Sequence, residues 1–287
     1  MRRWPVSLAI LLSGCSGVLD PRGPVGESER LILFDALAIM LAVAIPTIVA
    51  TLAFAWWFRA SNPRAFYWPD WEFSGRLELI VWAIPALVIT FLGGIAWFGS
   101  YAVDPFRPLA PGIKPLEIEV VSLDWKWLFI YPDEGLASIG TLTIPTARNV
   151  HFRLTSNGVM NSFFVPQLGS QIYAMAGMIS QLSLKADVPG TYRGISAQFS
   201  GAGFPDMHFE VHALESADFG HWLEDARGKG PTLDAASYRI LAKPGPPPTA
   251  QVYGGVESNL FNTIMEETQA PPAGDPAAAG AGGAGGG

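Results

Sequence analysis

Two stretches of the chain carry no charge: Ala36–Phe58, 23 residues, and Leu79–Gly99, 21 residues. An α-helix needs roughly 20 apolar residues to cross the hydrocarbon of a bilayer. The pattern therefore predicts membrane helices over residues 36–58 and 77–99. Each contains one proline, Pro46 and Pro85, which such helices tolerate where neighbouring groups satisfy the freed carbonyl. Trp56, Trp57 and Trp97 lie near the ends, where amphipathic rings favour the interface. Two buried core helices are the alternative, and uncharged runs of this length argue against it.

From about Pro115 to Ala213 the period changes to two. His151-Phe152-Arg153-Leu154-Thr155 and His208-Phe209-Glu210-Val211-His212 alternate polar with apolar, as half-buried strands do. Pro132-Asp133-Glu134-Gly135, Ser156-Asn157-Gly158 and Val188-Pro189-Gly190 supply turns between the runs. Short strands punctuated in this way suggest a β-sandwich. Helical stretches follow at about 217–226 and 259–267, separated by the proline-rich segment 244–248. Residues 270–287 are Ala, Gly and Pro with a single Asp, a composition that buries no apolar surface and predicts disorder. The expected organisation is membrane-anchored α+β. It comprises an external segment 15–35, a two-helix hairpin with the loop 59–76, a sandwich over 113–226, an arm over 227–269 and a loose tail.

Composition adds compartment. The net charge is −7, and no Lys/Arg cluster exists to neutralise phosphates, which excludes nucleic acid as a partner. There is one cysteine, Cys15, so neither an internal disulfide nor a two-cysteine metal site can form. Met1-Arg2-Arg3, a short apolar run and Leu12-Ser13-Gly14-Cys15 read as a signal peptide over residues 1–14. Leu-Ser-Gly-Cys resembles the bacterial lipobox, which implies a lipidated Cys15 on the outer face of the inner membrane. The loop carries three cations, Arg59, Arg64 and Arg76, while each outer flank carries two, Arg22 and Arg30 on one side and Arg107 and Lys114 on the other. That slight excess places the loop inside, and the sandwich then lies in the periplasm.

Three local segments carry a wider resemblance: Asp124-Trp125-Lys126-Trp127, Asn161-Ser162-Phe163-Phe164-Val165-Pro166 and Ser196-Ala197-Gln198-Phe199-Ser200-Gly201. With the two-helix layout they resemble subunit II of the haem–copper respiratory oxidases. The likeness is nearest to the cytochrome bo-type ubiquinol oxidases. The resemblance implies a cupredoxin-like sandwich lacking copper ligands. Where copper-bearing members have their first histidine stands Asn161. Phe199 and Gly203 are read at the cysteine positions, Gly201 at the glutamate, Met207 at the second histidine and Glu210 at the methionine. Bridging thiolates suit a two-copper centre because soft sulfur stabilises Cu(I), and the only thiol here belongs to Cys15. The resemblance then implies no cofactor in this subunit, with haems, copper and ubiquinol held by subunit I. Subunits I, III and IV and membrane lipid are the expected partners.

His208 and His212 lie four apart, which on a strand is roughly 13 Å and no metal pair. His151 reads as a solvent-facing strand residue and His221 as a helix-surface residue. Glu78 opens the second span. It reads as an acid complementing the helix dipole or as a functional carboxylate at the membrane edge; the resemblance implies the entrance of a proton channel into subunit I. Trp125 and Trp127, two apart, read as packing or docking groups on one strand face. In copper-bearing relatives a tryptophan here lies between copper and haem. Residues 161–178 fill a core or dock onto subunit I. The function expected is the structural and proton-uptake subunit of a proton-pumping quinol oxidase. A cytochrome c oxidase subunit II and a non-enzymatic membrane lipoprotein are the alternatives.

Overall fold

The computed structural model describes residues 17–66, 68–109, 112, 114–228, 230–245 and 251–269. Cys15, the signal peptide and the 270–287 tail lie outside them. The chain divides into two compact units: Ser28–Asp104, and the remainder.

The helical unit is formed by α1 (Pro24–Trp57) and α2 (Gly75–Ala102). Both are longer than the uncharged runs. Helix α1 starts within the segment expected to be merely external: Pro24 pre-sets the helical φ at its first position and Glu27 complements its positive end. At 34 residues it is about 51 Å long, so its first three turns precede the apolar span. Its interior proline is accommodated locally, for Thr47 Oγ1 donates to the Val43 carbonyl at 2.7 Å, beside the bond that Pro46 cannot make. Leu52, Phe54, Leu79, Ile89 and Phe98 are all exposed, as side chains facing hydrocarbon would be.

The second unit is the sandwich. One sheet has six strands in the order β12-β3-β2-β1-β5-β8. These are β1 (Leu116–Leu123), β2 (Lys126–Tyr131), β3 (Leu136–Ile139), β5 (Val150–Ser156), β8 (Ser180–Leu184) and β12 (Gln251–Tyr253). The other has five, β4-β10-β9-β6-β7, from β4 (Thr141–Pro145), β6 (Asn161–Phe164), β7 (Ile172–Ala174), β9 (Gly190–Ser196) and β10 (His208–Leu214). Strands β1 and β5 are parallel, as are β4 and β10; the remaining pairs within the two sheets are antiparallel. Between the sheets Trp127, Phe129, Phe152, Phe163 and Phe209 interlock. The rings of Phe163 and Phe209 stack at 5.2 Å, and Trp127 meets Phe163 edge-on at 5.5 Å.

Every residue of β2 is buried, which a two-layer sandwich does not explain. The arm supplies the third layer. After α3 (Ser216–Gly228) come β11 (Thr232–Leu233), α4 (Ala235–Leu241), β12, β13 (Gly255–Val256) and α5 (Leu260–Gln269). Strand β12 pairs with β3, and Leu233, Tyr238, Tyr253, Leu260, Phe261 and Ile264 cover Val121, Leu123, Leu128 and Ile130. The arm expected over 227–269 buries the outer apolar face of the larger sheet. Lys126 joins the layers, its Nζ donating at 2.8 Å to the carbonyls of Leu241 and Lys243 at the end of α4. Burial lowers the Lys126 pKa.

Residues 17–27 strap onto this unit. Arg22 N–H donates to Gln167 O, Asp187 N–H to Arg22 O and Gly26 N–H to Leu168 O. Gly23 is required there, since an added Cβ would lie 2.0 Å from the Lys185 carbonyl oxygen.

Candidate functional site

The expected site residues gather at the end of the sandwich where the β1–β2, β5–β6 and β9–β10 connections meet. Asn161 opens β6 and is buried. Its Nδ2 donates to Val159 O at 3.0 Å, and its Oδ1 accepts from Ser196 Oγ at 3.0 Å. Ser196 closes β9, and its N–H donates to Met207 O at 3.1 Å. Met207 is buried, with its sulfur 4.0 Å from Ser200 Oγ. Asn161, Ser196, Ser200 and Met207 thus form one cluster.

Phe199 and Glu210 are not in it. Phe199 is 71% exposed and packs edge-on against Phe204 at 5.6 Å. Glu210 stands on the outward face of β10, between inward-facing Phe209 and Val211, with His212 Nε2 3.4 Å away. Strand alternation forbids it from turning inward. The positions read as lost copper ligands are therefore not brought to one point: Asn161 and Met207 are buried in the cluster, Gly201 and Gly203 lie under the Trp125 ring, and Phe199 and Glu210 are exposed. Ser196 and Ser200 were not singled out in the sequence because a hydroxyl at a strand end or in a loop has no pattern of its own.

An amide, two hydroxyls and a thioether face one another here. A dinuclear copper centre of the kind copper-bearing oxidases hold needs bridging thiolates, and these residues do not fit it. Among the described residues no three His, Cys, Asp or Glu side chains converge on a point.

Trp125 and Trp127 do not share a strand face. Trp127 is in β2 and is 1% exposed within the aromatic core, so it packs and does not dock. Trp125 occupies the two-residue β1–β2 turn at φ 65°. Its ring lies across the β9–β10 loop: an added Cβ at Gly203 would sit 2.2 Å from Trp125 Cγ, and one at Gly201 3.4 Å from Cζ2. These glycines are a cradle for the indole. Val159, Met178 and Phe199, from the loops at this end, are each more than half exposed. Of the 161–178 stretch, Phe163, Val165, Leu168 and Ala174 are buried as core, while Met178 is exposed.

Glu78 lies in the first turn of α2 and is exposed. Its Oε1 accepts from Trp82 Nε1 at 3.0 Å, one turn further on, which fixes the carboxylate's direction along the helix. His151 is half-buried rather than solvent-facing, with Nδ1 2.8 Å from Glu117 Oε2 and Nε2 3.3 Å from Gln181 Oε1. Nearby, Arg153 Nη1 donates to Glu119 Oε1 at 2.7 Å and stacks over Phe261. Burial raises the Glu119 pKa against the lowering by Arg153, with Glu117 adding to the rise.

Residues 93–214 match the family described as cytochrome c oxidase subunit II, periplasmic domain. Over 263 residues the chain is 46% identical to ubiquinol oxidase subunit 2 of Acetobacter aceti, covering 91% of this chain and 85% of that one. It is likewise 46% identical over 260 residues to cytochrome bo(3) ubiquinol oxidase subunit 2 of Pseudomonas aeruginosa, covering 90% and 78%. A crystal structure of the periplasmic domain of cytochrome oxidase subunit II from Bradyrhizobium japonicum aligns with a TM-score of 0.38 at 22% identity, covering 40% of this chain and 96% of that one.

Proposed function

This chain belongs to the ubiquinol oxidase subunit 2 family, and from that premise we propose that it serves as the second subunit of a haem–copper quinol oxidase without carrying an electron itself. Its two helices cross the inner membrane and its sandwich lies in the periplasm. The observation that carries the reading is the donor set of Asn161, Ser196, Ser200 and Met207. With no thiolate there, a relay from a soluble cytochrome has no metal to use. A donor dissolved in the membrane and oxidised at subunit I, where haems and copper reside, makes that relay unnecessary. Subunits III and IV complete the complex.

Within it, the exposed apolar residues at the Trp125 end of the sandwich dock onto subunit I, and Glu78 takes up protons for a channel leading into subunit I. The hydrogen bond from Trp82 orients the carboxylate. Cys15 is lipidated, adding an anchor beside the two spans.

The test is oxygen uptake by the purified complex. Ubiquinol should support it and reduced cytochrome c should not; electron transfer from cytochrome c, or stoichiometric copper in this chain alone, overturns the reading. Glu78→Gln should slow turnover about a hundredfold or more, the range expected for losing a positioned proton-transfer group, with haem content and assembly unchanged. Wild-type turnover in that variant removes the role. Mass spectrometry of the mature chain, with Cys15→Ala as the control, decides the lipid.

A further inference from the structure

The loop between α1 and α2 holds a hollow that neither proton uptake nor docking of the sandwich uses. Trp57 and Phe58 at the end of α1, with Arg64, Phe66, Trp68 and Trp71 from the loop, line an open hollow of about 560 Å³. Five of these six are aromatic, and Phe66, Trp68 and Trp71 are 79%, 65% and 51% exposed. Aromatic groups left so bare need a covering environment.

The loop is held, not loose. Asn62 Nδ2 donates to Trp57 O at 2.6 Å, and Asn62 Oδ1 accepts from Arg64 N–H at 3.1 Å. Asn62 N–H donates to Arg59 O at 2.9 Å. One side chain thus ties the last turn of α1 to the backbone of Arg64. The two arginines of this stretch are in different states. Arg59 is fully engaged: Nη1 donates to Trp56 O at 2.8 Å, Nε donates to Ser61 Oγ at 3.1 Å, and the guanidinium lies 5.0 Å from the Trp56 ring centre. The Arg64 guanidinium lines the hollow with no ion-pair partner among the described residues. The loop's acids, Asp70 and Glu72, are not among the lining residues.

We propose that this hollow is a binding site for a glycerophospholipid of the inner leaflet, held by its phosphodiester on Arg64 with its glycerol backbone against the aromatic wall. This rests on the reading that the two helices cross the membrane with the loop on the cytoplasmic side. The charge of the site is complementary to phosphate, and a guanidinium offers a planar fork of donors that matches two phosphate oxygens. Tryptophan rings favour the headgroup level, where a lining that begins at Trp57 and Phe58, at the end of an apolar span, must lie. A protein partner would need an acid for Arg64 and an apolar surface for five aromatic side chains; a phospholipid supplies both chemistries in one molecule.

The whole purified oxidase complex is the sample. It is depleted of bulk lipid by detergent exchange, and its retained phospholipid is counted by mass spectrometry. Wild type should keep one phospholipid per complex that Arg64→Gln loses, with retention lower by about tenfold or more, the usual worth of a charge-assisted contact. Arg64→Lys, a point charge without the fork, should fall between. In parallel, wild-type complex is irradiated in vesicles containing phosphatidylglycerol with a photoreactive headgroup, and adducts are mapped by peptide sequencing. An adduct within residues 57–71 is expected. Equal lipid retention in all variants overturns the proposal, as does an adduct map that omits this segment. Loss of a neighbouring subunit from Arg64→Gln with the lipid count unchanged also overturns it, by assigning Arg64 to a protein contact. A cysteine introduced as Ser61→Cys and labelled from each side of sealed vesicles reports the loop's orientation separately. A failed topology is thereby distinguished from a failed lipid site.

Discussion

At Trp125 a bulky residue adopts the left-handed backbone region, which costs about 1–2 kcal/mol for an L-residue other than glycine. The indole repays this by lying across Gly201 and Gly203, so that turn and loop hold each other. Gly203→Ala should therefore destabilise the sandwich by about 1–3 kcal/mol, the range for overpacking a filled site, read as a lowered thermal midpoint. Adding Trp125→Ala should remove part of that loss; strict additivity of the two changes would contradict the contact. Asn161 teaches a second lesson at this scale. A buried polar residue between two loops is not idle: it satisfies Ser196 and the Val159 carbonyl, so the loops keep their shape.

The larger sheet explains the elements around it. With Trp127 and Phe129 facing one layer and Leu128 and Ile130 the other, it is stable only when both faces are covered. Removing residues 227–287 should leave Val121, Leu123, Leu128 and Ile130 bare and give an aggregated or protease-labile chain. A soluble, well-folded truncation would show the arm to be dispensable. The Glu119–Arg153 pair beneath Phe261 fastens α5 to the sheet and carries a pH signature. Because burial raises the Glu119 pKa above its ordinary value of 4.5, the folded chain keeps a proton that the unfolded chain has released. Stability therefore falls as pH rises through the window above 4.5. Glu119→Gln should flatten that slope in thermal midpoints measured from pH 4.5 to 7; an unchanged slope assigns it to another group.

Across the whole molecule, the strap of residues 17–27 matters as much as the hairpin. It belongs to the same compact unit as the sandwich, so the chain leaves that unit at residue 28 and returns to it at 105, which two membrane crossings satisfy and one does not. Its hold depends on Gly23, whose missing side chain lets the backbone meet the Lys185 carbonyl. Gly23→Ala should lift the strap and speed tryptic cleavage after Arg22 at least severalfold. Cleavage at the wild-type rate would show that the bonds from Gln167 and Asp187 suffice.

The sequence by itself determined the layout. Uncharged runs long enough to span a bilayer, period-two alternation in residues 150–155 and 207–212, and a thiol count of one are composition and spacing, and they survive without coordinates. Helices expected at 217–226 and 259–267 stand at 216–228 and 260–269. What tertiary structure decided was partnership. Trp125 and Trp127 look alike on the page, yet one residue of turn sends the first across a glycine loop and the second into the core. The pairing of Ser196 with Asn161, 35 residues apart, could not be read from the loops that flank them, because loops have no period. The arm offered too little apolar pattern to reveal a third layer, since burial against a distant sheet is a property of the pair of surfaces and not of either segment alone.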